Sequence, residues 1–196
     1  MILFKNAKVK SLTKKIKVLQ KSRLHNQPRE EDVARELALY QRLIDLYEPL
    51  VGHKKYPFAQ LMVRECLRAG AALDNANFRY LMGKSLLDEA KFREQLERDE
   101  VFSSAANQKE VVDLYQEAHA YLQSAQALGH IEAKRLQGLS YINGWGVDVD
   151  QDRGFDLIVA SIDQEGSWDK VPEIFTALGL NKPEFFAALG KHRSKK

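Results

Sequence analysis

Three segments of this chain share one spacing of small and apolar residues. Each segment steps by three, four and four positions, which places its members along one face of an α-helix. The segments are Ala59/Met62/Cys66/Gly70, Ala118/Tyr121/Ala125/Gly129 and Gly154/Leu157/Ser161/Glu165, the last followed directly by Gly166. Small residues on a helix face let a neighbouring backbone come close. The spacing therefore predicts helices that pack tightly against one another.

Two further segments lie between these three and carry a glycine inside a helical pattern. They read Leu81-x-Gly83-x-x-Leu86 and Leu136-x-Gly138-x-x-Tyr141. Glycine in a helix interior costs about 1 kcal/mol relative to alanine, so it is expected where a second helix must approach. The two helix types alternate along the chain, which is typical of an α-solenoid.

The remaining periodicity is also helical, and no stretch alternates as a half-buried strand does. We therefore predict an all-α protein: a short α-solenoid of helix-turn-helix repeats, capped by flanking helices at 28–48 and 168–189. A loop is predicted at residues 103–107. The predicted helices cover 28–48, 57–70, 74–96 or beyond, 108–128, 131–142, 151–164, 168–178 and 182–189.

A longer motif gives the repeat a family resemblance. The segment Ala133-x4-Gly138-x2-Tyr141-x2-Gly144-x-Gly146-Val147-x2-Asp150 resembles the Sel-one-like repeat, a relative of the tetratricopeptide repeat. The preceding Ala118-x2-Tyr121-x3-Ala125-x3-Gly129 resembles the second helix of the previous repeat in that family. The match is best over 118–165 and weaker over 57–87. The interval from Gly83 to Gly138 exceeds one family repeat, so residues 88–107 should form an elongated helix or an insertion.

The turn within this motif has a physical interpretation. Gly144 and Gly146 can adopt backbone angles that other residues avoid. Asp150 is suited to cap the helix that follows. Trp145, between the glycines, is expected to cover the end of the helix pair, with contact to a partner as the alternative.

The charge of the chain is unevenly distributed. The net charge is +3, yet residues 1–29 hold nine Lys or Arg and no acid, and residues 191–196 hold four more, so residues 30–190 sum to −10. Val9, Leu12, Ile16 and Leu19 form an apolar stripe on a basic helix. Such a helix can dock on its own protein or a partner, on nucleic acid, or on a membrane surface. We expect a basic extension or amphipathic helix at 1–27, a repeat domain at 28–190 and a basic tail at 191–196.

Residues suited to catalysis or to binding metals are scattered. The single cysteine, Cys66, occupies a small-residue position and is expected to be a buried, inert thiol. The five histidines do not stand at metal-ligand spacing. We expect no enzyme activity, no metal and no cofactor. The apolar runs are shorter than the ~20 residues of a membrane span, so a soluble, cytoplasmic protein without a membrane span is expected.

The sequence therefore favours a protein–protein interaction scaffold or adaptor, a subunit of a multi-subunit complex. The resemblance implies the same, because Sel-one-like proteins act as adaptors in signalling, in quality control and in bacterial secretion or envelope machines. The alternative is a nucleic-acid-associated protein whose basic termini bind phosphate. The candidate partner-binding residues are Lys8, Lys14, Lys15, Lys17, Lys21, Arg23, Arg79, Lys84, Glu132, Arg135 and Trp145.

Overall fold

The computed structural model describes residues 2–27 and 29–194, and over those residues the chain is helical, without a strand. The all-α class is thus confirmed. The contacts divide the chain into two compact units, Met1–Phe78 and Arg79–Lys196. The α-helices of the described residues are α1 (Ile2–His25), α2 (Glu30–Tyr47), α3 (Ala59–Ala71), α4 (Ala76–Arg98), α5 (Ala105–Ala127), α6 (Ile131–Asn143), α7 (Gln151–Glu165), α8 (Val171–Ala177) and α9 (Pro183–Ser194).

Most predicted helix bounds agree with the structure to within a few residues, and four differences remain. The predicted loop 103–107 is shorter, because the Ser104 hydroxyl accepts the N–H of Asn107 at 3.1 Å and starts α5 at Ala105. The excess residues 88–107 are largely absorbed by α4, which runs on to Arg98. The predicted helix 168–178 is divided into a 3₁₀ turn, Trp168–Lys170, and α8. α9 extends into the segment predicted as a basic tail.

The first unit is built on α1, α2 and α3. α1 packs against α2, and α2 packs against α3. Leu43 and Ile44 of α2 and Leu67 of α3 are buried core residues of this unit. At the end of α3, Gly70 leaves room for the ring of Phe78, which lies where a Cβ would stand. Gly70, which the spacing predicted as a small position, therefore allows Phe78 to pack closely against α3.

In the second unit, α6 and α7 cross at two glycines. A Cβ placed on Gly138 would stand 2.6 Å from the carbonyl oxygen of Gly154, and one placed on Gly154 would stand 2.7 Å from that of Gly138. Ile158 lies against the same point and is fully buried. The backbones therefore touch, and neither position can take a larger side chain without moving the helices apart.

The pair α4–α5 meets in an equivalent way. A Cβ on Gly83 would approach the carbonyl oxygen of Ala118 at 3.1 Å and the side chain of Leu122 at 3.0 Å. Ala118 and Gly154 hold the same place in the three-four-four spacing. The two helices with an internal glycine, α4 and α6, thus each cross the following helix at the first residue of its three-four-four spacing. Two further small residues, Ala125 of this spacing and Ala133 of the longer motif, are fully buried.

The turn after α6 follows the predicted motif. Gly144 and Gly146 adopt φ angles of +72° and +74°, the left-handed region that favours glycine. The Asp150 carboxylate accepts the N–H of Arg153 at 2.9 Å and caps α7. Tyr141 is buried, with the guanidinium of Arg153 at 4.2 Å from its ring centroid. Of the remaining motif residues, Gly129 ends α5 at a φ of +87°, and Tyr121 is half-buried on that helix.

α9 is fastened to α7 by a buried histidine. His192 places Nδ1 at 2.7 Å from Asp156 and Nε2 at 3.2 Å from Asp152, and its ring stacks on Phe155. The α6–α7 core continues into α8 and α9 through Phe175, Leu180 and Leu189. Residues 191–194 are therefore part of the folded unit, whereas 195–196 lie outside the described residues.

Replacing Gly138 by leucine should destabilise the protein, because the new side chain would collide with the backbone of α7. We expect Gly138→Leu to lower the free energy of unfolding by about 1–3 kcal/mol in urea titrations. The control is Gly190→Leu on α9, where no heavy atom beyond the neighbouring residues and backbone of α9 itself lies within 4 Å of the Cβ position. Equal midpoints for both variants would contradict a close crossing of α6 and α7.

The buried His119 should make stability depend on pH. Burial, and then the charge of Arg153, hold the pKa of His119 below its ordinary value. The unfolded chain therefore binds a proton near pH 6.5 that the folded chain does not, so stability falls as the pH drops below about 6.5. We expect His119→Phe, which keeps the edge-on contact with Tyr141, to lose less stability than the unmodified protein between pH 7.5 and 5.5. The exposed His25→Phe variant should lose as much as the unmodified protein.

Candidate partner-binding groove

The predicted apolar stripe of α1 faces this protein's own second helix. Leu12 and Ile16 are each 5% exposed, and Val9 and Leu19 are half-buried. The pairing is antiparallel, because Gln20 contacts Tyr40 while Arg23, later in α1, contacts Glu36, earlier in α2. Of the alternatives left open by the sequence, docking on the protein's own body therefore describes this stripe.

A polar cluster fixes the register of the two helices. Glu36 is only 1% exposed, and its carboxylate accepts a hydrogen bond of 2.9 Å from the hydroxyl group of Tyr40. Arg23 donates to the same carboxylate at 3.4 Å, and Gln20 donates to the Tyr40 oxygen at 2.8 Å. Burial, reinforced by the hydrogen bond to Glu36, raises the pKa of Tyr40 to about 12. A buried carboxylate is costly unless it is bonded in this way, so the cluster permits one alignment of α1 on α2.

An open groove runs along the outer face of this helix pair. It has a volume of about 620 Å³. Its floor is formed by apolar side chains, and one of them, Val18, is 61% exposed. We call it the basic groove, since among the described residues that line it four are cationic and none is acidic. Its lining residues are Ser11, Lys14, Lys15, Val18, Leu19, Arg35, Ala38, Leu39 and Arg42.

The spacing of these residues follows from helix geometry. α1 contributes positions 11, 14, 15, 18 and 19, and α2 contributes positions 35, 38, 39 and 42, so each helix presents one stripe spaced by three and four. The cations stand on both walls, and all four are exposed. The exposed guanidinium of Arg35 lies 3.8 Å from the carboxylate of Asp32, which is 20% exposed and is also paired with Arg29. The walls therefore present positive charge above a recessed apolar surface.

The basic residues predicted on α1 occupy three kinds of position in the structure. Lys14 and Lys15 line the groove. Lys8, Lys17 and Lys21 are exposed on α1 and are not among its lining residues. Arg23 is turned toward the buried Glu36 and serves the helix pairing. The charge of α1 is thus partly structural and partly displayed.

The candidates in the second unit do not gather at one site. Lys84 and Glu132 are exposed, whereas Arg79 is half-buried and donates to the Ser124 hydroxyl at 2.6 Å. Glu132 lies 3.3 Å from Nδ1 of His130, the residue that caps α6. Arg79 thus links α4 to α5, and Glu132 lies beside the N-terminus of α6, so these positions do not share one site.

Arg135 has a structural position that the sequence pattern did not predict. It is buried on α6 and donates to the Ser161 hydroxyl of α7 at 3.1 Å, and it pairs with Glu165. Hydrogen bonds from Ser167 and then from Arg135 hold the pKa of Glu165 below its ordinary value. Arg135 therefore joins α6 to the end of α7 rather than lying on an open face.

Trp145 is half-buried and contacts two side chains of its own unit. Its ring is parallel to that of Tyr115 at 5.9 Å, and the ammonium of Lys91 lies 4.0 Å from its centroid. A polar concavity of about 690 Å³ lies beside the turn, lined in part by Tyr115, Tyr141 and Arg153. Two carboxylates, Asp148 and Asp150, and one guanidinium share that lining, so it carries charges of both signs.

Arg35, Ala38 and Arg42 were missed by the sequence analysis. They belong to α2, which was assigned to the repeat domain, while the basic segment was treated separately. Their spacing of three and four is visible in the sequence. What could have identified them is the match between this stripe and the one on α1, once the two helices are paired in antiparallel fashion.

The described structure also shows where the cysteine and the metal-ligand residue types lie. Cys66 is buried, and burial raises the pKa of its thiol to about 11, so the thiol is protonated at neutral pH and is a poor nucleophile. Across 2–27 and 29–194, no group of three or more His, Cys, Asp or Glu is placed to hold a metal ion. Over the same part of the chain, every helix is too short or too polar to cross a bilayer.

Comparison with known proteins adds no assignment: no protein-family model matches the chain, and no curated protein matches it. The function is therefore inferred from the groove.

Removing the charge of Arg23 should weaken the α1–α2 pairing, because Glu36 would stay buried with less compensation. We expect Arg23→Met to lower the free energy of unfolding by about 1 kcal/mol, measured by urea titration. The matched control is Lys21→Met, an exposed position on the same helix. A loss for Lys21→Met as large as that for Arg23→Met would mean that the general charge of α1 matters and the contact with Glu36 does not.

Proposed function

We propose that this protein is a non-catalytic interaction scaffold, a subunit of a larger assembly, that holds a protein partner in the basic groove. The proposal rests on one observation, an exposed apolar surface bounded by cations on two packed helices. Apolar surface that stays open on a folded protein and is rimmed by polar side chains is typical of an interaction site. The groove is built on two helices fixed by a buried cluster, so it is ordered before a partner arrives.

The architecture of the second unit supports the scaffold class. We propose that α4–α5 and α6–α7 are two Sel-one-like repeats. In support, Gly83 approaches Ala118 and Gly138 approaches Gly154 at equivalent places in the pattern. Stacked helical repeats commonly provide extended surfaces for partners.

Binding of nucleic acid is the competing function. The exposed Lys8, Lys17 and Lys21 of α1 suit it, because phosphate contacts need little more than accessible cations. The apolar floor of the groove favours a protein partner, since phosphates gain nothing from Val18 or Leu39. Aromatic side chains, on which bases stack, do not occur among the described lining residues.

Two substitutions on α1 separate these functions. Val18→Glu places a negative charge in the groove, and Leu24→Glu makes the same change at a position that is 83% exposed and not among the lining residues. The tagged full-length chains are cross-linked in the native cell and purified, and the proteins recovered are identified. We expect a defined set of proteins that is lost with Val18→Glu and retained with Leu24→Glu.

Two results would contradict the proposal. Retention of the same proteins by Val18→Glu would exclude the groove as their binding site. Loss in both variants, with recovery that is sensitive to nuclease and declines steeply with salt, would favour nucleic acid.

A further inference from the structure

The walls of the basic groove are long enough to contact about two turns of a third helix. Positions 11–19 of α1 and 35–42 of α2 each cover about two helical turns, or about 10–12 Å. Two antiparallel helices leave a shallow furrow along their shared face, and a third helix fills such a furrow with residues spaced by three and four. The floor residues Val18, Leu19, Ala38 and Leu39 provide the apolar half of that contact.

The backbone of the groove selects a helix over an extended segment. An extended peptide gains much of its affinity by pairing with the free N–H and C=O groups of a sheet edge. Both walls here are helices, whose interior N–H and C=O groups are bonded within the helix. A helix brings its own backbone bonds already satisfied and needs only side-chain contacts, so it is the occupant that this surface can accept at low cost.

The walls also select the sign of charge. Lys14 and Lys15 stand on the α1 wall, and Arg35 and Arg42 stand on the α2 wall at a separation of seven residues, about 10.5 Å along the helix axis. A bound helix would place its flanking residues against these cations. Acidic residues on both flanks would pair with them, and basic residues would be repelled.

We propose that the basic groove binds an amphipathic helix with an apolar stripe and acidic flanks, as the third helix of a bundle with α1 and α2. This inference rests on the proposed function and specifies the partner. On the flank facing α2, the acids of that helix recur seven residues apart, in register with Arg35 and Arg42. On the other flank, an acid lies opposite Lys14 and Lys15.

Two synthetic peptides test the proposal directly. Each is about 20 residues long, with leucines spaced by three and four, and the flanking positions are all Glu in one peptide and all Lys in the other. Binding of fluorescent peptide to the full-length protein is followed by anisotropy. We expect saturable binding of the Glu peptide, weakened by added salt, and little binding of the Lys peptide.

Charge reversal in the protein provides the matched comparison. Lys14→Glu/Arg42→Glu changes both walls of the groove, and Lys8→Glu/Lys21→Glu makes the same change at exposed positions of α1 that are not among its lining residues. We expect the first variant to bind the Glu peptide about tenfold more weakly and to gain affinity for the Lys peptide, and the second to behave as the unmodified protein. Circular dichroism is used to check that both variants keep their helices.

The outcomes distinguish this inference from the function on which it rests. Equal binding of the two peptides, equal loss in both double variants, or no binding of either peptide would overturn the acidic helix as occupant. If Val18→Glu still loses its cellular partners in that case, the scaffold function stands and the occupant is of another kind. Unchanged capture by Val18→Glu removes the scaffold function whatever the peptides do.

Discussion

The pairing of α1 with α2 is the contact on which the first unit and its groove depend. Leu12 and Ile16 are buried by it, and Glu36, Tyr40, Gln20 and Arg23 fix how far one helix is shifted along the other. An apolar contact alone could slide by a turn at small cost, because the stripe repeats. A buried carboxylate cannot slide away from its donors without an uncompensated charge. The polar cluster therefore determines which side chains stand opposite one another across the groove.

The second unit solves a different packing problem. There the backbones of α6 and α7 approach until glycines meet, at Gly138 and Gly154, and α4 and α5 meet in the same manner at Gly83 and Ala118. Close contact of this kind leaves little freedom in crossing angle or register. Arg135 adds a polar tie from α6 to Ser161 and Glu165 of α7. Small residues define the crossing point, and the buried guanidinium fixes one end of the pair.

The parts of the fold that were predictable from sequence are those set by local chemistry. Helix periodicity, the cap at Asp150 and the left-handed glycines at 144 and 146 depend on neighbours a few residues away. The burial of Arg135 could not be read in this way, since its partner Glu165 lies on the next helix. The groove could not be read from local sequence either, because five of its described lining residues belong to α1 and four to α2, and neither stripe is distinctive alone.

Charge gives the groove a second reason to accept an acidic partner. The first unit holds 15 Lys and Arg against 8 Asp and Glu, a net charge of +7, while the second holds 15 against 19, a net charge of −4. The small net charge of +3 for the whole chain is therefore the sum of a strongly basic first unit and an acidic second unit. Like charges on both walls of the groove repel one another across an apolar floor whose dielectric constant is lower than that of water. Acids brought by a partner helix would relieve that repulsion and form ion pairs at the same time. Because both contributions are screened by salt whereas burial of the floor is not, ionic strength should separate the electrostatic part of binding from the apolar part.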